Sequence, residues 1–234
     1  MKPDQLPLAM RWPSQQRFDT FFPGASNAVV LDLVRRAAHD ATAPWTVVSG
    51  PRSSGKTHLL IAACAAASEL GRSAQYVSLR ARAEAVRIAA LGGGDLLALD
   101  DVDAVAGDAE AERALFDLYN RCKVEKCTLL FSAPAAPAQI GIALPDLVSR
   151  LAACTQAPLR PLDDAERREV LRTRAQARGI ELDDAALDWL FARAQRDLAS
   201  LATLLDQLDR ASLAAKRRIT VPFLRSFFEA EGSL

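Results

Sequence analysis

An eight-residue segment, GPRSSGKT, has the residue types and spacing of a phosphate-binding loop. It matches the pattern GxxxxGK[ST] over residues 50–57, between the β-branched run PWTVVSG (44–50) and the Ala/Leu-rich run THLLIAACAAASELG (57–71). Glycine lets such a loop curl until its backbone N–H groups point at phosphate oxygens, and the following helix N-terminus adds partial positive charge. Lys56 would reach the β- and γ-phosphates, and the Thr57 hydroxyl would bind Mg²⁺. The alternative, a Gly/Ser turn that only caps a helix, is disfavoured by the flanking strand and helix. The predicted nucleotide-contacting residues here are Gly50, Pro51, Arg52, Ser53, Ser54, Gly55, Lys56, Thr57 and His58.

Two adjacent carboxylates follow a second apolar run, DLLALDD (95–101). At the end of a buried strand, Asp100 would bind the Mg²⁺ directly or through water, and Asp101 would orient or deprotonate an attacking water. By itself, an apolar run that ends in two acids is often an ordinary strand end. The upstream phosphate loop favours the functional interpretation.

The rest of the chain predicts the elements that position these residues. AQYVSL (74–79) and CTLLFSA (127–133) are further runs of strand length, and helical patterns lie between the runs. Strands that alternate with helices predict an α/β fold with a parallel sheet covered on both faces. From Pro161 onward the strand patterns stop, and apolar residues recur at helical spacing. We therefore predict an α/β domain over 18–160 and a small helical domain over 161–234, after a flexible leader over 1–17.

Composition excludes several classes of function. Lys plus Arg and Asp plus Glu number 29 each, which disfavours a strong electrostatic grip on DNA or on an anionic membrane. The cysteines form no CxxC pair, so buried reduced thiols are the expectation. No signal peptide and no membrane-spanning run is apparent, and we expect a cytoplasmic protein.

The order of these motifs resembles that of the AAA+ ATPases, and their amino-acid sequences are similar to those of the DnaA/Hda family. The resemblance extends over residues 18–230 and is carried by four segments: LLALDDVDAVAGDAEAERALFDLYNR, LPDLVSRL, PLDDAERREVL and LLDQLDRASLAAKRRITVPFL. It implies a P-loop parallel five-stranded sheet in the order 5-1-4-3-2 and a C-terminal α-helical lid. ADP or ATP with Mg²⁺ would lie between the sheet and the lid.

The resemblance also assigns roles that the residues alone do not. Without it, Ser132 would be a turn residue and an isolated arginine a solvated surface charge. By similarity, Ser132 takes the sensor 1 position and Arg150, in PDLVSR, matches the arginine finger that acts on a neighbouring subunit's nucleotide. Arg196, in QRDLASL, matches the sensor 2 arginine, while Phe18 and Phe22 would border the base.

The leader carries a second candidate motif, QLPLAM, in which Gln5, Leu6, Leu8 and Met10 stand out. In an arbitrary protein these would be incidental residues of a tail. In the DnaA/Hda family, the position and sequence of this motif resemble those of a short peptide that binds the sliding clamp. The clamp is the beta subunit of the DNA polymerase, and the peptide enters its hydrophobic pocket. The resemblance therefore implies two partners, DnaA and the clamp, with DNA reached indirectly through the clamp. It also allows self-association into a homo-oligomer.

The sequence is compatible with three functions. The resemblance favours a negative regulator of replication initiation that docks on the DNA-loaded clamp and stimulates ATP hydrolysis by DnaA. The chain ends after its lid helix, where DnaA-type initiators continue into a DNA-reading helix-turn-helix, and KRR (216–218) is its only compact basic run. A helicase-loader-like or initiator accessory protein is the first alternative, which tight, salt-sensitive binding to naked DNA would favour. A freestanding P-loop ATPase or small-molecule kinase is the second, although the sequence has no substrate-binding signature for it.

Overall fold

The structure, a computed structural model, describes residues 12–82, 85–193, 204–205, 207–211 and 219–230. The chain divides into two units, Met1–Arg160 and Pro161–Leu234. The first contains a sheet with helices, and the described part of the second is helical. In the described part of the chain, every helix is too short or too polar to cross a membrane.

Five parallel strands form the sheet of the first unit, in the order β2-β3-β4-β1-β5. This is the predicted order 5-1-4-3-2 read from the opposite edge, so the predicted fold class is confirmed. The strands are β1 (Thr46–Ser49), β2 (Ala74–Ser78), β3 (Leu96–Asp100), β4 (Thr128–Ala133) and β5 (Thr155–Pro158). The central strands β3, β4 and β1 are buried along their whole length.

Helices cover both faces of this sheet. They are α1 (Ala28–His39), α2 (Lys56–Glu69), α3 (Leu79–Arg82), α4 (Ala85–Ala89), α5 (Ala109–Glu125) and α6 (Pro145–Ala153), with 3₁₀ turns at Val102–Val105 and Pro137–Gln139. Leu97 and Leu99 of β3 join one apolar core with α5 and α6, while Leu96 and Ala98 join the other core with α1 and α2. Alternate strand residues therefore face opposite layers, as expected for a sheet buried on both sides.

The described part of the second unit is helical and contains α7 (Asp164–Gln176), α8 (Asp184–Arg193) and α9 (Val221–Ala230). Residues 204–205 and 207–211 are also helical. A capping box starts α7, because Asp163 accepts from the Glu166 N–H at 2.8 Å and Glu166 accepts from the Asp163 N–H at 3.0 Å. Leu187, Leu190 and Phe191 lie in the apolar core of this unit, which agrees with the helical spacing of apolar residues after Pro161.

The four cysteines, Cys64, Cys122, Cys127 and Cys154, are buried free thiols, as expected. Burial raises the pKa of Cys64 to about 12, so this thiol stays protonated and unreactive at neutral pH.

Candidate nucleotide-binding site

The glycine-rich segment connects β1 directly to α2 at the carboxyl edge of the sheet. The Gly50 N–H donates to the Ala133 carbonyl at 3.1 Å, and a Cβ on Gly50 would lie 2.7 Å from the Leu159 carbonyl oxygen. Gly55 precedes the first residue of α2 with φ +100°, a conformation that only glycine adopts without strain. The loop thus needs glycine at both positions, as the motif predicts.

Two polar groups in this loop fit a phosphate. The buried Ser54 Oγ has no hydrogen-bond partner among the described residues. Lys56 is 8% exposed, and its ammonium donates to the carbonyls of Gly50 and Pro51 at 2.7 and 2.8 Å. Burial lowers the pKa of Lys56, an effect that the nearby Asp100 and Asp101 oppose. An anion that exchanged with the two carbonyls would compensate this buried charge.

Three predicted site residues meet in one hydrogen-bond network around Asp100, which is 2% exposed. Thr57 Oγ1 donates to Asp100 Oδ2 at 2.7 Å, and the Ser132 hydroxyl donates to Asp100 Oδ1. Parallel strands cause this meeting, because β3 and β4 end at the same edge where α2 begins. The predictions for Thr57, Asp100 and Ser132 therefore converge on one location, although the metal and phosphate themselves stay predictions.

Tyr76 is a fourth member of the network that the sequence reasoning missed. Its hydroxyl donates to Asp100 Oδ2 at 2.8 Å from the neighbouring strand β2. Burial, together with the charge of Asp100, raises the pKa of Tyr76, so the hydroxyl keeps its proton and remains a donor. A polar aromatic residue inside a predicted strand was the available signal.

Asp101 has different surroundings from Asp100. Its backbone N–H donates to Ser132 Oγ at 2.9 Å, but its carboxylate pairs with Arg80, with Oδ2 3.1 Å from Nε. The same guanidinium contacts Asp103 Oδ2 at 3.1 Å through Nη2. The two carboxylates raise the pKa of Arg80, Asp101 contributing more. The predicted water-orienting carboxylate is thus held in an ion pair that the sequence did not indicate.

The segment before α1 lies against the loop. A Cβ on Gly55 would be 2.7 Å from Phe21 Cε2, and the Phe21 ring contacts His58 edge-on with centroids 5.3 Å apart. His58 also contacts the Arg17 carbonyl, with Nε2 2.8 Å from the oxygen. Phe18 packs in the α1–α2 core with the Arg35 guanidinium 5.4 Å from its ring centroid, and Phe22 is half-buried. Phe21, which the sequence analysis did not select, thus contacts the glycine-rich loop at Gly55.

Arg150 lies in the last turn of α6 and is exposed. No ion pair joins it to a carboxylate in the described part of the chain. Its guanidinium carbon is 5.9 Å from the centroid of the Tyr119 ring. Arg150 and the network around Asp100 are therefore separate features of the same unit.

Some predicted residues lie outside the described part of the chain. They are Arg196 and the leader residues Gln5, Leu6, Leu8 and Met10. Trp12 and Arg17, which the sequence assigned to the leader, contact α2: Trp12 Nε1 donates to Ser68 Oγ at 3.1 Å, and Arg17 Nε lies 3.6 Å from Glu69 Oε1.

Two family models match the chain. The model of the bacterial DnaA ATPase domain matches residues 13–157, which is more than half of the 234 residues. The model of the Hda lid domain matches residues 164–228. The first match lies within the unit Met1–Arg160, and the second lies within the unit Pro161–Leu234.

Solved structures with the same fold include replication initiators and a branch-migration motor. Domain III of DnaA from Thermotoga maritima is 19% identical with a TM-score of 0.78, over 93% of this chain and 98% of that one. AMPPCP-bound DnaA from Aquifex aeolicus is 20% identical with a TM-score of 0.72, over 84% of this chain and 66% of that one. The Thermotoga maritima RuvB Holliday junction branch migration motor is 19% identical with a TM-score of 0.67, over 94% of this chain and 72% of that one. The chain thus spans just under two thirds of the Aquifex protein.

Proposed function

The chain belongs to the family of the bacterial DnaA ATPase domain and carries an Hda-type lid, and on this basis we propose that it is a DnaA-related regulator of replication initiation. It holds ADP or ATP with Mg²⁺, docks on the DNA-loaded sliding clamp through residues 5–10, and presents Arg150 to ATP bound by DnaA. Hydrolysis of that ATP leaves ADP-bound DnaA, which does not initiate again. The protein acts mainly as an activator of its partner, and its own turnover is slow.

The residues around the glycine-rich loop fit an adenine nucleotide and Mg²⁺. Ser54 Oγ and the Lys56 ammonium would hold phosphate oxygens, because the first lacks a partner among the described residues and the second is a buried cation. Thr57 and Asp100 supply a hydroxyl and a carboxylate in direct contact, the oxygen ligands that Mg²⁺ prefers. A bound nucleotide would supply the polyphosphate, and the Mg²⁺ would neutralise part of its negative charge.

Arg150 carries the proposal for the partner. Its exposed guanidinium has no carboxylate partner in the described part of the chain, so its charge is free to act outside the protein. An arginine delivered in trans stabilises the negative charge that develops during phosphoryl transfer, and its contribution is about 10³ to 10⁵ in rate. Arg150 can therefore accelerate hydrolysis in a partner without any change in that partner's own residues.

Clamp docking rests on the leader. Burying Leu6, Leu8 and Met10 would contribute about 1.5 to 3 kcal/mol each, but association and ordering of the peptide cost several kcal/mol in return. The peptide alone would therefore bind weakly. A clamp that encircles DNA and offers repeated pockets makes a weak peptide adequate through multivalency.

The proposal is tested by hydrolysis of DnaA-bound ATP in the presence of DNA-loaded clamp and this protein. We expect Arg150→Ala to abolish the stimulation while its affinity for ADP stays unchanged. Arg36→Ala, which removes another exposed arginine of the same unit, is the matched control and should stimulate normally. Stimulation that survives in Arg150→Ala, or hydrolysis that follows an added metabolite without DnaA, would contradict the proposal.

A further inference from the structure

The start of α6, the helix that carries Arg150, is fastened to α5 by one buried carboxylate. Glu112 is 2% exposed and accepts from the N–H groups of Gly107 at 2.9 Å, Ala143 at 3.0 Å and Leu144 at 2.7 Å. Leu144 is the N-cap residue directly before α6. Glu112 therefore holds the backbone just before α6.

The end of α6 is also held by side chains. Gln156 Nε2 donates to the carbonyls of Leu151 and Cys154, each at 2.9 Å. The Cys154 thiol donates to the Arg150 carbonyl at 3.4 Å. Since the single thiol hydrogen is used there, the Tyr119 hydroxyl, 3.9 Å from Cys154 Sγ, is the donor in that contact. Backbone motion at Arg150 is thus limited, and the direction of its long side chain depends on what the guanidinium contacts.

The guanidinium contacts the face of Tyr119, a residue of α5. Its carbon lies 5.9 Å from the ring centroid, within the range of a cation–π interaction. Burial raises the pKa of Tyr119 to about 12, so the ring is neutral and the attraction is to its π-face. Arg150 has no salt bridge among the described residues that would hold it elsewhere.

The Tyr119 ring is itself fixed on its other sides. Trp45 contacts it edge-on with centroids 4.6 Å apart, and Phe131 of β4 lies nearly parallel to it at 6.4 Å. Tyr119 is 7% exposed and Phe131 is completely buried. A ring packed in this way offers the guanidinium a rigid surface.

We infer that Tyr119 is a positioning residue for the reaction in trans: its ring holds the Arg150 guanidinium in the direction that meets the partner's triphosphate. The inference rests on the proposed function and deepens it. Without the ring, Arg150 keeps its charge but samples several rotamers, and only a fraction of docked complexes has it in place. The maximal stimulated rate should then fall, while docking, which does not depend on this contact, should not change.

The experiment compares Tyr119→Leu, which removes the ring, with Tyr119→Phe, which keeps it. The stimulated hydrolysis of DnaA-bound ATP is measured with DNA-loaded clamp over a range of concentrations of the protein. We expect Tyr119→Leu to lower the saturating rate by roughly 3- to 30-fold at an unchanged half-saturating concentration. Tyr119→Phe should restore nearly the whole rate, because only the hydroxyl contact with Cys154 is lost.

Thermal unfolding and the affinity for ADP are measured to check that each variant is folded. Phe191→Leu is the matched control, since it removes a buried ring that also lies beneath an arginine, Arg168, at 5.1 Å in the other unit. If Tyr119→Leu does not fold, Tyr119→Met, which removes the ring and keeps more of the volume, is measured in the same way.

Three results overturn the inference: an unchanged saturating rate in the ring-less variant, a change in half-saturation alone, or a Tyr119→Phe variant as impaired as Tyr119→Leu. Failure of the proposed function is a different result, because stimulation would then survive in Arg150→Ala. Loss in Arg150→Ala with normal stimulation by Tyr119→Leu refutes only the role of Tyr119.

Discussion

Thr57 Oγ1 donates a 2.7 Å hydrogen bond to Asp100 Oδ2, although the two residues lie 43 positions apart in the sequence. The hydroxyl stands in the first turn of α2, and the carboxylate ends β3. A divalent cation that takes one oxygen ligand from each element would replace this hydrogen bond. The contact therefore marks the place where Mg²⁺ dependence is expected to originate.

Asp100→Asn should remove the Mg²⁺-dependent part of the affinity for ATP, because an amide is neutral and a poor magnesium ligand. Isothermal titration with and without Mg²⁺ measures it directly. Asp117→Asn, at an exposed position of α5, should leave the Mg²⁺ dependence intact. An Asp100→Asn protein whose affinity for ATP still rises with Mg²⁺ to the normal extent would show that the ion binds elsewhere.

Gly55→Ala should abolish nucleotide binding and destabilise the fold more than Gly71→Ala does. Both glycines have positive φ, +100° and +77°, so both alanine variants are strained. Only at Gly55 does the new Cβ approach another group, Phe21 Cε2 at 2.7 Å, whereas it meets nothing within 4 Å at Gly71. We expect Gly71→Ala to cost about 1 kcal/mol and Gly55→Ala to cost more, measured by urea unfolding. Equal costs at the two sites would argue against a close Phe21 contact.

Glu112 should make the stability of the protein depend on pH in the acidic range. Burial raises the pKa of Glu112, but the N–H donors of Ala143, Gly107 and Leu144 together lower it by more. The pKa of Glu112 therefore lies below the ordinary value of 4.5. A carboxyl group with a lowered pKa in the folded state stabilises above the unfolded-state pKa. That contribution is present at neutral pH and is lost as the pH falls below 4.5 through the folded-state value.

Glu112→Gln should lower the free energy of unfolding at neutral pH by about 1 to 3 kcal/mol, because an amide NH₂ would face backbone donors. The difference from the natural protein should shrink toward acidic pH. Urea unfolding across the acidic range checks both statements, with Glu110→Gln at an exposed position of the same helix as the control. A difference that stays constant with pH would mean that the charge of Glu112 is not the cause.

If the protein hydrolyses ATP slowly and Asp101 orients the attacking water as the sequence predicts, Arg80→Ala should raise the rate of that hydrolysis. The Arg80–Asp101 pair is partly exposed, and such pairs contribute at most about 1 kcal/mol, so the expected increase is about two- to fivefold. Steady-state phosphate release measures it. The double variant Arg80→Ala with Asp101→Asn should show no increase, and an increase that persists there would assign the effect to another group.

The sequence predicted those parts of the fold that depend on local patterns. Strands β1 to β4 lie within the predicted apolar runs. Complete burial explains the apolar character of β1, β3 and β4, whereas only Val77 is buried in β2. The sequence pattern does not predict strand β5, TQAP, because it has one β-branched residue and ends in Pro158. Its pairing with β1 makes it a strand. The network at Asp100 followed from motif order, since parallel strands bring their ends together.

The contacts that were missed depend on residues distant in sequence. Arg80 is an exposed arginine without a motif, so nothing local indicates its pairing with Asp101. Phe21 reaches Gly55 through tertiary packing alone. Glu112 did have a signal, because it falls three residues before Leu115 on the buried stripe of α5. A carboxylate on the apolar face of a helix indicates a buried hydrogen-bond partner, and here the partner is the backbone before α6.

Deletion of residues 1–10 should abolish both clamp binding and the clamp-dependent stimulation of DnaA, while the fold and the affinity for ADP remain. Trp12 and Arg17 stay in the truncated protein and keep their contacts with α2, so the structural cost should be small. The double variant Leu6→Ala with Leu8→Ala is the finer test, since it removes apolar contact and leaves the chain length unchanged. Binding to DNA-loaded clamp is measured by surface plasmon resonance, and hydrolysis is measured in the same buffer. If clamp binding is lost but stimulation at high protein concentration persists, the leader serves only to concentrate the protein near DnaA; if clamp binding persists, the leader is not the docking peptide.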